Sequence, residues 1–255
     1  ARQLGVPCEN ITITNCTMLA GHGGVVIGSE MSGDVRKVTI SNCVFDGTDR
    51  GIRIKSSRGR GGIVEEIRVD NIVMKNIKTE AIVLNLFYSN MPKEPVSDRT
   101  PIFRNIHISN LTGTLVNSAV KILGIEEMPI TDVTLNNINI QSNTGLEADM
   151  VKNLVLNNVR VDSKMGAPFK ISNSENLEIN SVKSTSPNAD SPFIKLTDSK
   201  ESLIQGCFPV SGSRSFLLLG GNCKGTVLMN NCFNRLSLIM DKESVFTKED
   251  ITIKE

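Results

Sequence analysis

The chain is 255 residues long, with 39% hydrophobic and 4% aromatic residues and 28 basic against 27 acidic side chains, a net charge of +1. Such a balance exerts no global pull toward nucleic acid or an acidic membrane surface, and no apolar run is long enough to cross a bilayer as a helix. No spacing of His, Cys and carboxylates matches a metal-ligand pattern, so no metal is expected.

From the N-terminus, nine segments share one register, x-apolar-x-apolar-x-Asn-apolar. They begin with NITITNC from Asn10, KVTISNC from Lys37, EIRVDNI from Glu66, NIHISNL from Asn105, DVTLNNI from Asp132 and NLVLNNV from Asn153. The register degrades in NLEINSV from Asn176 and ESLIQGC from Glu201, and returns in TVLMNNC from Thr226. The segments recur every 21 to 29 residues, with a single gap of 39. A period of this length marks a solenoid, because one such unit cannot bury its apolar face without a neighbour.

Alternation with period two and a high content of Val, Ile and Thr make these segments strands. Second short strands lie between them: GGVVIGS from Gly23, GIRIKSS from Gly51, AIVLNLF from Ala81, PFKISNS from Pro168 and PFIKLTDS from Pro192. Two or three strands per turn, winding one way, describe an all-β fold, a right-handed parallel β-helix of about nine coils. One elongated domain over residues 1–255 is expected, a rod roughly 40 Å long at a strand spacing of about 4.8 Å.

The recurrent Asn follows from its tolerance of the left-handed backbone at a corner. Asn15, Asn42, Asn71, Asn110, Asn137, Asn158 and Asn231 are expected to stack as a ladder inside one bend. The next residue points inward, and in four coils it is Cys16, Cys43, Cys207 or Cys232. Sharing that position with Ile, Leu and Val, these cysteines read as small buried hydrophobes. Cys8 and Cys223 are out of register, each a surface thiol or half of a bridge.

The densest positive patch holds Arg50, Arg53, Lys55, Arg58 and Arg60. In GIRIKSS the alternation sends Ile52 and Ile54 inward, so Arg53 and Lys55 share an outer face about 7 Å apart. Two fixed cations suit a ligand that carries carboxylates at regular intervals. GGVVIGS and GIRIKSS are offset by 27 residues, as are the first two ladder positions, so Val26 is expected beneath Arg53. His22 precedes this strand among Gly21, Gly23 and Gly24, glycines that leave the backbone open to a ligand. The long insertion, with Pro92, Pro95 and Pro101, is placed to wall the same cleft.

GHGGVVIGSE from Gly21 and CVFDGTDRGIRIKSSRGRGG from Cys43 together resemble the polygalacturonases of glycoside hydrolase family 28, strongest over residues 1–90 and fading to a fold-level likeness beyond about Leu111. The resemblance implies a right-handed parallel β-helix that hydrolyses α-1,4-linked galacturonate with inversion and without cofactor. By carry-over, His22 is the active-site histidine with Gly23 beside it, and Arg53 and Lys55 bind galacturonate carboxylates. Tyr88 corresponds to a substrate-contacting tyrosine of the family, and Glu30 and Arg58 join the substrate-binding set.

An inverting glycosidase needs one carboxyl group as acid and another as base. The family carries these in N-T-D and D-D signatures upstream of its histidine, and neither occurs here. The opening ARQLGVPCENITITNC resembles the stretch that follows the D-D signature. Asp46, Asp49 and Glu30 each occupy their own place in the family pattern as surface, turn or binding residues. The expectation is therefore the C-terminal portion of a longer polygalacturonase, with the catalytic aspartates upstream and a missing N-terminal segment as partner. The alternative is a non-catalytic or degenerate β-helix that binds acidic polysaccharide, and a purely structural β-helix ranks third because it predicts no clustered signatures. Polygalacturonate or oligogalacturonate is the expected ligand, with neither nucleic acid nor membrane as partner. No leader pattern is visible, but the chain begins at Ala1, so a removed leader stays open; the family favours a secreted or periplasmic location.

Overall fold

A computed structural model of the chain describes residues 5–87 and 94–254. The first coils run β1 (Cys8–Thr14), β2 (Thr17–Leu19), β3 (Val25–Ile27), β4 (Val35–Asp46), β5 (Ile52–Lys55), β6 (Ile63–Lys75), β7 (Glu80–Asn85) and β8 (Ile102–Leu123). There follow β9 (Ile130–Asp149), β10 (Val151–Ser172), β11 (Glu175–Asn180), β12 (Ile194–Thr197), β13 (Lys200–Gln205), β14 (Leu217–Gly220), β15 (Lys224–Met229) and β16 (Ile251–Lys254). No helix occurs among the described residues, and every pairing between these strands is parallel.

The nine repeats stack in chain order, β1-β4-β6-β8-β9-β10-β11-β13-β15, and β16 adds a tenth rung. A second ladder links β3, β5, β7 and the end of β8. The fold is a right-handed parallel β-helix, the hand that parallel crossovers favour.

The register explains the core. Ile13, Ile40, Val69, Ile108, Leu135, Leu156, Ile179, Ile204 and Leu228 form one inward column, buried from Ile40 onward. The column two residues earlier is apolar down to Leu177, then turns to Ser202 and Thr226. Both are buried, and their hydroxyls lack a hydrogen-bond partner. Ser202 belongs to a degraded repeat and Thr226 to the one in which the register returns, and at both an unpaired buried hydroxyl costs stability. A stack of Phe169, Phe193, Phe216 and Phe233, with ring centroids 5.5, 5.8 and 5.0 Å apart, fills the C-terminal half instead.

The asparagine corner forms in six of the seven expected coils: Asn15, Asn42, Asn71, Asn110, Asn137 and Asn158 have φ between 51° and 56°. Asn71 donates to Asn42 at 2.8 Å, Asn137 to Asn110 at 2.6 Å and Asn158 to Asn137 at 3.1 Å. The ladder lies on the outer surface of the bend rather than inside it, with most of its side chains exposed. Asn231 is the exception. Thr226 pairs with Ser202 and Leu228 with Ile204, which shifts the ninth repeat by one residue and puts Asn230 at the corner with φ 52°.

Asn231 therefore takes the position assigned to Cys232. Its amide donates to the Ile204 carbonyl at 2.8 Å and accepts from the Cys207 amide at 2.9 Å. The half-buried Cys232 instead faces Asn234. At the other three cysteine positions the thiol donates to the carbonyl two residues back, Cys16 to Thr14, Cys43 to Ser41 and Cys207 to Gln205.

All six cysteines are free, Cys8 at the surface and Cys223 buried. Burial pushes the Cys207 thiol up to about 12, and it raises Cys223 as well. A thiol that stays protonated is a poor nucleophile. Under native conditions, Ellman's reagent is expected to modify Cys8 while Cys43, Cys207 and Cys223 stay unreactive until the chain unfolds. Prompt native labelling of those three would contradict their core role.

Candidate functional site

The site is built on β5 and on the turns that precede β3, β5 and β7. In β5 the side chains of Ile52 and Ile54 are buried in the core, so Arg53 and Lys55 leave on the outer face. Val26 and Val83 flank Arg53 in register, as expected for Val26. Packed between them, Arg53 is only 7% exposed. A guanidinium held this way keeps its aliphatic stem dry and presents its polar end.

His22, with a side chain 67% exposed, sits in the turn before β3. The Arg53 NH1 group lies 2.9 Å from His22 Nε2. On the far side of the ring, Nδ1 lies 3.2 Å from Asp49 Oδ2. The second oxygen of Asp49 accepts from Lys78 Nζ at 3.0 Å. The hydrogen bond from Lys78, then that from His22, holds the Asp49 carboxyl below its ordinary range. Three successive coils thus contribute to one chain of polar contacts; Lys78 is a member that the sequence alone did not single out, and Asp49, read there as a surface, turn or binding residue, is its centre.

The glycines around His22 have two different jobs. Gly21, with φ +100°, faces open space. A Cβ on Gly24, in contrast, would lie 2.4 Å from the Phe45 ring, and one on Gly23 would lie 2.5 Å from Val26 Cγ2. Close packing, more than openness to a ligand, requires glycine at those two positions. Gly28, with φ +91°, lets the chain pass over the Lys55 carbonyl, which a Cβ would meet at 2.0 Å.

The basic patch is partly neutralised within the fold. Arg50 lies 3.0 Å from Glu80, which Lys121 approaches to 3.5 Å. Arg58 makes a two-pronged contact with Glu127, at 2.5 and 2.8 Å. Arg60 pairs with Glu30, and a backbone hydrogen bond together with Arg60 and Lys55 holds Glu30 below the usual carboxylate range. Arg58 and Glu30 are therefore tied to intramolecular partners; Arg53, set against His22, and Lys55 line the same face of β5. Tyr88 lies outside the described residues, as does Pro92.

The described part of the long insertion packs beside this face. Arg99 accepts at its carbonyl from the Gly59 and Gly61 amides at 3.1 and 2.8 Å, and its guanidinium returns a bond of 2.8 Å to the Gly59 carbonyl. The insertion thus braces the turn that follows β5. On the other side, a groove of about 660 Å³ begins at Lys78 and continues past Asn117, Gln141, Asn143 and Thr185. Among the described residues, no group of three or more His, Cys, Asp or Glu side chains is arranged to hold a metal ion.

Comparison with known proteins agrees with the fold. The sequence pattern of the family described as Glycosyl hydrolases family 28 matches residues 5–153. It extends past Leu111, where the motifs alone suggested only a fold-level likeness, and takes in the repeat DVTLNNI. An endo-polygalacturonase of Pectobacterium carotovorum subsp. carotovorum is 34% identical over 137 residues, 53% of this chain and 32% of that protein. A probable polygalacturonase of Vitis vinifera is 28% identical over 137 residues, 53% of this chain and 28% of that protein. The crystal structure of a hyperthermoactive exopolygalacturonase from Thermotoga maritima superposes with a TM-score of 0.52 at 33% identity, over 61% of this chain and 36% of that one. The chain thus spans about a third of the length of the relatives it matches. With more than half of its residues inside the family pattern, from the first coil through the start of the sixth, the chain belongs to glycosyl hydrolase family 28.

Proposed function

We propose that this chain is the substrate-binding part of a polygalacturonase, a single β-helical domain that holds α-1,4-linked galacturonate for hydrolysis with inversion. The observation that carries the reading is the outer face of β5, where Arg53, set against His22 Nε2 at 2.9 Å, stands two residues from Lys55. A guanidinium and an ammonium on one rigid strand match a polymer with one carboxylate per sugar. Gly23 shapes the backbone beside His22, and Tyr88, Glu30 and Arg58 border the same substrate. The enzyme would meet pectin outside the cytoplasm, secreted or periplasmic.

The acid and base are assigned to aspartates on coils stacked against β1. One observation supports that placement. The carboxylates near His22 are held ionised by cations, Asp49 by Lys78 and Glu30 by Arg60, which makes them poor proton donors. The same ion pairs favour, for these residues on their own, a second reading of binding without cleavage.

Calorimetric titration with trigalacturonate and an assay of reducing-sugar release from polygalacturonate test the two halves of the proposal. The 255-residue chain is expected to bind trigalacturonate and release no reducing sugar, while the same residues joined to the preceding coils release it. Release by the short chain alone would overturn the placement of the aspartates, and no binding of trigalacturonate would overturn the substrate.

A further inference from the structure

We propose that Asp49 and Lys78 are positioning residues that hold the ring of His22 in its Nδ1–H form, so that Nε2 fixes the Arg53 guanidinium; the proposal rests on Arg53 as the carboxylate clamp. The argument is one of donors and acceptors. A guanidinium has five N–H donors and no acceptor, so at 2.9 Å from Arg53 NH1 the Nε2 atom must accept. The ring proton is then on Nδ1, and its partner at 3.2 Å is Asp49 Oδ2. A protonated ring would set donor against donor at Arg53. The other oxygen of Asp49 is taken by Lys78 at 3.0 Å, which keeps the carboxylate charged and aimed.

The coil stack fixes Asp49 from both sides. Its amide donates to the Gly21 carbonyl at 2.8 Å, and its carbonyl accepts from the Thr79 amide at 2.8 Å and the Thr79 hydroxyl at 2.7 Å. One residue is thereby tied to the turn carrying His22 and to the turn carrying Lys78. With Nε2 occupied, His22 serves in this arrangement to aim Arg53 rather than to carry a proton. Without Asp49, Nδ1–H has no acceptor to hold the ring in line with Arg53, and a ring that turns away from Arg53 is free to take the Nε2–H form.

The chain has two histidines, so a ring ¹⁵N spectrum of the His107→Gln variant reports His22 alone. At about pH 8, above the ordinary histidine range, the expected spectrum shows protonated Nδ1 and unprotonated Nε2. Asp49→Ala is expected to convert the ring mainly to the Nε2–H form and to weaken trigalacturonate binding about tenfold. Asp49→Asn keeps one oxygen for Nδ1–H but turns its NH2 toward Lys78, and is expected to retain the ring form with a loss of about threefold, like that of Lys78→Met. Lys78→Met should keep the ring form and lose about threefold. A parent ring in the Nε2–H form, or an Asp49→Ala variant with unchanged ring form and affinity, would overturn the proposal. A parent chain that binds no trigalacturonate, yet shows the Nδ1–H ring and its loss in Asp49→Ala, would support the positioning and overturn only the substrate reading.

Discussion

Replacing Arg53 with alanine is expected to weaken trigalacturonate binding by about a hundredfold, or ~3 kcal/mol, and to leave binding of a neutral oligosaccharide of equal length unchanged. The size follows from the environment of Arg53. It is mostly buried, sits between Val26 and Val83 and is set against His22, so its orientation is determined before ligand arrives and little rotamer entropy is lost on binding. Arg53→Lys keeps the charge but loses the planar fork, and about a tenfold loss is expected. Lys55→Ala should cost less than Arg53→Ala, since an ammonium on a flexible stem is less fixed. Far-ultraviolet circular dichroism separates loss of the clamp from loss of the fold. Equal losses for charged and neutral oligosaccharides would remove the clamp from the account.

The largest effect on stability is expected at Phe193. This ring is buried, with Phe169 at 5.5 Å in an edge-to-face arrangement and Phe216 at 5.8 Å. Phe193→Ala opens a cavity between two rings that belong to neighbouring coils, at a cost of about 3–5 kcal/mol. Because each coil of a solenoid contacts only its neighbours, the loss should fall on the C-terminal coils first. Denaturant unfolding followed by amide hydrogen exchange would show protection lost around β12 and β14 and kept in β4 and β6. A uniform small decrease along the whole chain would mean that the stack is not what holds these coils together.

The fold was legible because a solenoid writes its period into the chain, and because period-two alternation assigns each strand its buried face. Val26 beneath Arg53 follows directly from equal spacing. The reading failed at the ninth repeat for a related reason. Consecutive Asn230 and Asn231 make two registers look alike, and only the pairing of Thr226 with Ser202 decides between them. A second left-handed row also went unseen. It runs through Asn10, Lys37, Glu66, Asn105, Asp132, Asn153, Asn176 and Glu201, all with φ between 51° and 61°. Lys and Glu are not residues that signal such a backbone, so stacking imposes a corner that local preference does not announce.

The same division holds at the site. His22, Arg53 and Lys55 stand out in sequence through their neighbours, the glycines and the alternating isoleucines. Lys78 does not, and Asp49 stands out only as a surface, turn or binding residue, because the link between them comes from lying one coil apart at the same turn. Nor does the pairing of Arg58 with Glu127, which joins residues 69 positions apart. What looked like a cluster of five cations is a patch that the fold largely balances within itself.

The gap of 39 residues between the third and fourth repeats has a geometric meaning. Ile67 pairs with Ile106 across that gap in the same way as Val133 pairs with Leu154 across a gap of 21. The rise per coil is therefore set by backbone hydrogen bonds and is independent of the contour length of a turn. Loops on this molecule can lengthen or shorten without moving a single rung. The wall beside β5 and the clamp on β5 are thus separate variables, and the shape of the cleft can be altered while the spacing of its charges is preserved.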